Sequence, residues 1–166
     1  ALLRHLDLGP TVIAGGSVRI DGLGRGSTQG DVGFIEVLAR MGALVEWADD
    51  HVVVGSSGVL RGIEVDMSDI SDTAQTLAAV AVFADGPTTV TGIGFIRGKE
   101  TDRIAAVVTE LGRLGIDARE DLDGFTVHPA TPQAGVVATY DDHRMAMSFA
   151  LIGLRVPGIQ IADPGC

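Results

Sequence analysis

"LARMGALVEW", Leu38 to Trp47, has a near double later in the same chain: "LGRLGIDARE", Leu111 to Glu120. In each copy an apolar-periodic stretch runs into a glycine and restarts as a strand-like segment. A glycine just past the last periodic residue marks a helix end. Working outward, both copies sit in the same order of elements. Before the first come a strand at Val18-Arg19-Ile20, the turn Gly22-Leu23-Gly24, and a helix from Gln29 to Met41. That helix carries Val32, Ile35, Val37, Leu38 and Met41 near helical spacing. Ala43 to Trp47 and His51 to Val54 then form a hairpin about Asp49-Asp50. Around the second copy the order repeats. Thr88 to Thr91 leads to Gly92-Ile93-Gly94, and a helix follows from Ile104 to Leu114. Ile116 to Arg119 and Phe125 to Val127 then flank the turn Asp121-Leu122-Asp123-Gly124. This is an internal repeat of strand, helix and hairpin. Further helices are expected at Asp72 to Phe83 and His143 to Leu154, and a strand at Ile159 to Ala162. The fold class is α/β. A cyclic, pseudo-symmetric arrangement suits the repeat better than a simple doubly wound sheet.

The 166 residues fit one domain with a sizeable core, and the 46% hydrophobic content rules out compositional disorder. Aromatics are only 4%, so aliphatic side chains must fill that core. A net charge of −10 argues against a nucleic-acid partner, which needs a basic surface. Cys166 is the only cysteine, so neither a disulfide within the chain nor a cysteine metal site is expected. No secretory leader pattern opens the chain, and no apolar run reaches ~18 residues. The expectation is a cytoplasmic protein without a membrane partner.

Three stretches carry candidate chemistry. "GKETDR", Gly98 to Arg103, places Lys99, Glu100 and Arg103 at the start of a helix, with Lys99 and Arg103 one turn apart. A helix N-terminus attracts anions, so cations there make sense if they share an anionic ligand with the backbone. The plainer reading is a solvated first turn capped by Thr101 or Gly98. "YDDHRMAM", Tyr140 to Met147, puts His143 and Arg144 after a cap at Asp141 or Asp142. "DISDTAQT", Asp69 to Thr76, offers Asp72 or Ser71 as an ordinary cap. "GLGRGS", Gly22 to Ser27, lacks the dinucleotide-binding spacing, and no zinc-protease, Walker or nucleophile-elbow motif occurs. Taken together, Arg97, Lys99, Arg103 and Arg144 suggest a cationic pocket on an acidic protein, with Glu100 and Asp72 as proton carriers. Such a pocket suits a small, multiply charged phosphate ester.

At these residues the chain resembles the enolpyruvylshikimate-phosphate synthases, the shikimate-pathway enzymes that glyphosate inhibits. The resemblance rests on Gly22 to Trp47, on "SDTAQTLAAVAVFADGPTTVTGI" from Ser71, on "RGKETDRIAA" from Arg97, and on "YDDHRMAMSFALIGL" from Tyr140. It implies an inside-out α/β barrel of pseudo-repeated βαβαββ units, with residues 12–166 forming most of the C-terminal domain. It also implies transfer of the enolpyruvyl group from phosphoenolpyruvate to the 5-hydroxyl of shikimate 3-phosphate, with no metal or organic cofactor. Carried over by motif, Asp72 takes part in deprotonating that hydroxyl, and Glu100 exchanges a proton with the phosphoenolpyruvate methylene. Lys99 touches both reactants. Arg103 and Arg144 bind the carboxylate and phosphate, and His143 supports the site by hydrogen bonding.

The chain also departs from the family. Residues 1–11 form an atypical leader in place of an Asp-Ala-Ser-Ser-like segment. The chain stops at "DPGC" before a Lys-Thr-Phe-Pro-like segment. Phe95 stands where some members have Asn, and no role is carried onto it. The expectation is a fragment that needs a missing N-terminal half to catalyse. The alternatives are a transferase with another acceptor and a non-catalytic anion-binding or interaction domain.

Overall fold

The computed structural model describes residues 4–27 and 32–166. The first residues of the helix expected from Gln29 lie outside them. Both copies of the repeated stretch end their helix in the same way. α2 (Val32–Arg40) closes with the Gly42 N–H on the Ala39 carbonyl and the Ala43 N–H on the Leu38 carbonyl, both at 2.9 Å. α4 (Arg103–Arg113) closes with Gly115 on Gly112 and Ile116 on Leu111, both at 3.0 Å. This double cap requires a left-handed residue after the helix, and Gly42 and Gly115 supply φ values of 106° and 80°. Leu38, Ala43, Leu111 and Ile116 are all buried, so an apolar contact seals each cap.

Each cap feeds a hairpin: β2 (Leu44–Trp47) with β3 (His51–Gly55), and β6 (Asp117–Glu120) with β7 (Phe125–His128). β1 (Ser17–Asp21) adds antiparallel to β3, and β5 (Thr88–Thr91) adds antiparallel to β7. The strand orders β1-β3-β2 and β5-β7-β6 therefore match. The second unit is complete. β4 (Glu64–Asp66) lies parallel to β5, joined to it through α3 (Ala74–Ala81), which gives βαβαββ. A partial unit precedes it. β8 (Gly135–Val137), α5 (His143–Gly153) and β9 (Ile159–Ile161) begin another, with β8 and β9 parallel. The hairpin tip of the complete unit leaves no room for a side chain at Gly124, where an added Cβ would sit 1.8 Å from the Val90 carbonyl oxygen. Gly124→Ala should therefore cost about 3 kcal/mol, the upper range for an inserted methyl. A urea melt checks it.

The helices that open the units, α1 (Arg4–Ala14), α3 and α5, pack against one another with the sheets outside them. Every residue of α3 is buried. Local pattern does not reveal α1, because Gly9 and Pro10 interrupt it. Gly9 is explained by packing, since a Cβ there would meet Leu151 Cδ1 at 2.6 Å. The three helices run parallel. Arg155, just past α5, stacks 5.1 Å from the Phe83 ring beyond the end of α3 and donates to the Ile13 carbonyl at the end of α1, at 3.4 Å. All three N-termini thus face the opposite end of the bundle, where their dipoles add to a positive potential. Among the described residues no helix is long and apolar enough to cross a membrane.

Two helix starts differ from expectation. α3 begins at Ala74 after a 3₁₀ segment, Ser68–Thr73, and neither Asp72 nor Ser71 caps it. α4 begins at Arg103, and its cap is Asp102, which accepts from the Ala105 N–H at 3.0 Å. Neither Thr101 nor Gly98 caps α4. Lys99 has extended backbone, so it and Arg103 do not share a helical face.

Candidate active site

The N-terminal ends of α3, α4 and α5 converge on one buried guanidinium. Arg103, the first residue of α4, is 1% exposed. Its Nε donates to Asp142 Oδ2 at 2.8 Å, its Nη1 to Asp72 Oδ1 at 3.2 Å, and its Nη2 to Glu100 Oε2 at 2.6 Å. A single planar fork thereby ties together the 3₁₀ segment before α3, the loop before α4 and the cap of α5. Arginine suits this because its five donors lie in one rigid plane.

Asp142 is fully buried and has two jobs. Its Oδ2 receives Arg103, and its Oδ1 caps α5 by accepting the Arg144 N–H at 2.8 Å. The local sequence presents it only as a cap candidate, since neighbouring residues show a cap and not a tertiary partner. Asp72 binds two cations. Arg103 holds Oδ1, and the Arg144 Nη2 donates to Oδ2 at 2.8 Å, while Nη1 reaches the Asp72 carbonyl at 3.0 Å. The pull of Arg103 and Arg144 explains why Asp72 does not cap α3.

Asp72 and Glu100 remain open to solvent, with side chains 45% and 48% exposed. Glu100 Oε1 meets no donor among the described residues. Lys99 is exposed beside Glu100 and His143 is half-buried, and among the described residues neither side chain has a hydrogen-bond partner. Asp72, Glu100, Arg103 and Arg144 are thus joined directly, and Lys99 and His143 flank them in sequence. Arg97 does not belong with them. It donates to Glu120 and Asp102, both at 2.9 Å, and to the Asp121 carbonyl. Glu120 first and Asp102 second push its pKa up. It braces the β6–β7 turn against the cap of α4.

The cluster sits at the positive ends of parallel helices, with two half-exposed carboxylates among fixed cations. It can grip an anion and move a proton beside it. A separate cleft of about 410 Å³, lined by Phe83, Pro129, Pro132 and Arg155, lies at the C-terminal ends of α3 and α5, away from these groups.

The architecture is that of the enolpyruvyl transferases. The structure of EPSP synthase from Acinetobacter baumannii superposes with a TM-score of 0.84 at 28% identity, covering 98% of this chain and 41% of that one. The enolpyruvyl transferase NikO from Streptomyces tendae superposes with a TM-score of 0.73 at 25% identity, covering 98% and 38%. The sequence pattern of EPSP synthase (3-phosphoshikimate 1-carboxyvinyltransferase) matches residues 8–166, and the chain belongs to that family. The 3-phosphoshikimate 1-carboxyvinyltransferase of Nostoc punctiforme is 49% identical over 154 residues, which are 93% of this chain and 36% of the relative. That of Edwardsiella ictaluri is 48% identical over 160 residues, 96% and 37%. The chain therefore spans just over a third of the length of these relatives.

Proposed function

We propose that the chain is most of the C-terminal part of a cytoplasmic enzyme that moves the enolpyruvyl group of phosphoenolpyruvate to the 5-hydroxyl of shikimate 3-phosphate. The single observation that carries this reading is the Arg103 cluster at the positive ends of parallel helices. Arg103 and Arg144 take the carboxylate and phosphate of phosphoenolpyruvate. An incoming carboxylate competes for the Arg103 Nη1 and Nη2 hydrogens now given to Asp72 and Glu100, while buried Asp142 keeps the Nε side in place. Glu100, freed in this way, exchanges a proton with the methylene, and Asp72 takes part in deprotonating the acceptor hydroxyl. Lys99 stabilises charge that develops between the reactants, and His143 supports the site by hydrogen bonding.

A second half completes the cleft in this reading. Its support is the share of the relatives' length that the chain spans.

The test joins this chain to the rest of a full-length relative, on both sides of the matching stretch, and follows phosphate release. Turnover is expected only when phosphoenolpyruvate and shikimate 3-phosphate are both present. Turnover by the unjoined chain, or a preference for UDP-N-acetylglucosamine as acceptor, would overturn the reading. In the joined enzyme Lys99→Ala should raise the KM for phosphoenolpyruvate roughly tenfold, the effect of losing one charge-assisted hydrogen bond, and lower kcat as well, because Lys99 also meets charge that develops in the reaction. Its melting temperature should stay put, because exposed, unpaired side chains contribute within about 0.5 kcal/mol.

A further inference from the structure

α4 grips the loop before α5 at two points, and only one of them belongs to the cluster above. The first is the Arg103–Asp142 pair. The second lies seven residues on, on the same helical face, at Glu110. Its carboxylate is fully buried. Oε1 accepts the Tyr140 hydroxyl at 2.6 Å and Arg113 Nη1 at 2.6 Å, and Oε2 accepts the Ala138 N–H at 3.0 Å. None of these partners touches the cluster. What they hold is the bend in front of it. Tyr140 and Asp141 have φ values of 57° and 58°, a left-handed pair that residues other than glycine rarely adopt. The Asp142 N–H closes the bend on the Thr139 carbonyl at 3.0 Å. Such strained backbone persists only where its surroundings over-determine it.

We propose that Glu110 and Tyr140 are positioning residues that lock this bend and so present Asp142 and Arg144 to the site. The bend sets where Asp142 emerges, and Asp142 must both cap α5 and meet the Arg103 Nε. If the clamp is released, the bend relaxes and the fraction of molecules with a competent cluster falls. Apparent affinity falls with that fraction. Burial first, and the hydrogen bond to Glu110 second, push the Tyr140 pKa up, while Arg113 opposes them. Tyr140 is the only tyrosine in the chain, so its ionisation can be followed by ultraviolet absorbance without assignment.

Tyr140→Phe removes one hydroxyl and keeps the ring. In the full chain, exchange of the Arg144 amide should speed up about tenfold, the loss of one hydrogen bond to a charged group. Amides at the centre of α3, such as Ala79, should be unchanged. Glu110→Gln should speed the Arg144 amide likewise and let the tyrosine ionise at lower pH than in the parent. Equal acceleration at Arg144 and Ala79 would make the pair a general stabiliser and overturn the proposal. Exchange at Arg144 within twofold of the parent would also overturn it. A second arm rests on the proposed function: in the joined enzyme Tyr140→Phe should raise the KM for phosphoenolpyruvate about tenfold and leave kcat within threefold. If the joined parent shows no turnover, the functional reading falls, while the exchange contrast still judges the clamp.

Discussion

Arg103→Met should destabilise the chain by about 3–5 kcal/mol, the range for removing one partner of a buried ion pair. For a chain of 166 residues that lowers the melting temperature by roughly 6–20 °C. Asp142 sets the size of the effect. Its carboxylate is fully buried and would keep only the Arg144 N–H as a partner. Asp72 and Glu100 also lose a bond, but both are half-exposed and regain water, so each adds little. Methionine approximates the length of the arginine stem, which limits the cavity term. Asp142→Asn separates charge from shape, because its amide oxygen can still cap α5. The double variant Arg103→Met with Asp142→Asn should be more stable than the sum of the single losses by about 1 kcal/mol or more. Thermal and urea melts of the four proteins measure this. Strictly additive losses would show that the two side chains do not act as a unit.

The same residues show what local sequence can carry. The repeat was legible because a glycine-ended helix followed by a hairpin is a local device, written within about ten residues at Leu38 and again at Leu111. β4 and β8 were not legible. Glu64-Val65-Asp66 carries a single apolar residue and Gly135-Val136-Val137 opens on a glycine, and they exist as strands because β5 and β9 pair with them. α1 was hidden by Gly9 and Pro10, and the reason for Gly9 shows only once Leu151 of α5 is packed against it. At the site, the cations and carboxylates were legible by type and their local roles were not. Asp72 reads as a cap and instead binds two arginines from distant helices. Arg97 reads as part of a cationic pocket and instead braces a turn. Asp142 reads as a cap and is also the buried anchor of Arg103. In each case a charged partner far along the chain decides the role, and no window of one sequence contains that partner.

Glu100→Gln in the joined enzyme should lower kcat by 10²-fold or more, the contribution of a positioned acid–base group. The structure adds a second expectation that sharpens the first. Glu100 Oε2 now holds the Arg103 Nη2 at 2.6 Å, so it competes with an incoming carboxylate for the same donor. A neutral amide competes less well. The KM for phosphoenolpyruvate should therefore stay level or fall while kcat collapses, a split that marks a group needed for the chemical step and not for binding. Stability should barely change, because the Glu100 side chain is 48% exposed and its ion pair is worth at most about 1 kcal/mol. Arg103→Met removes and Glu100→Gln weakens the same hydrogen bond, from opposite ends and with opposite signatures, one in melting and the other in turnover. A non-catalytic anion-binding domain predicts otherwise: Glu100→Gln would tighten anion binding and leave function intact. Steady-state kinetics on the two joined proteins, with melts run beside them, decide between the readings.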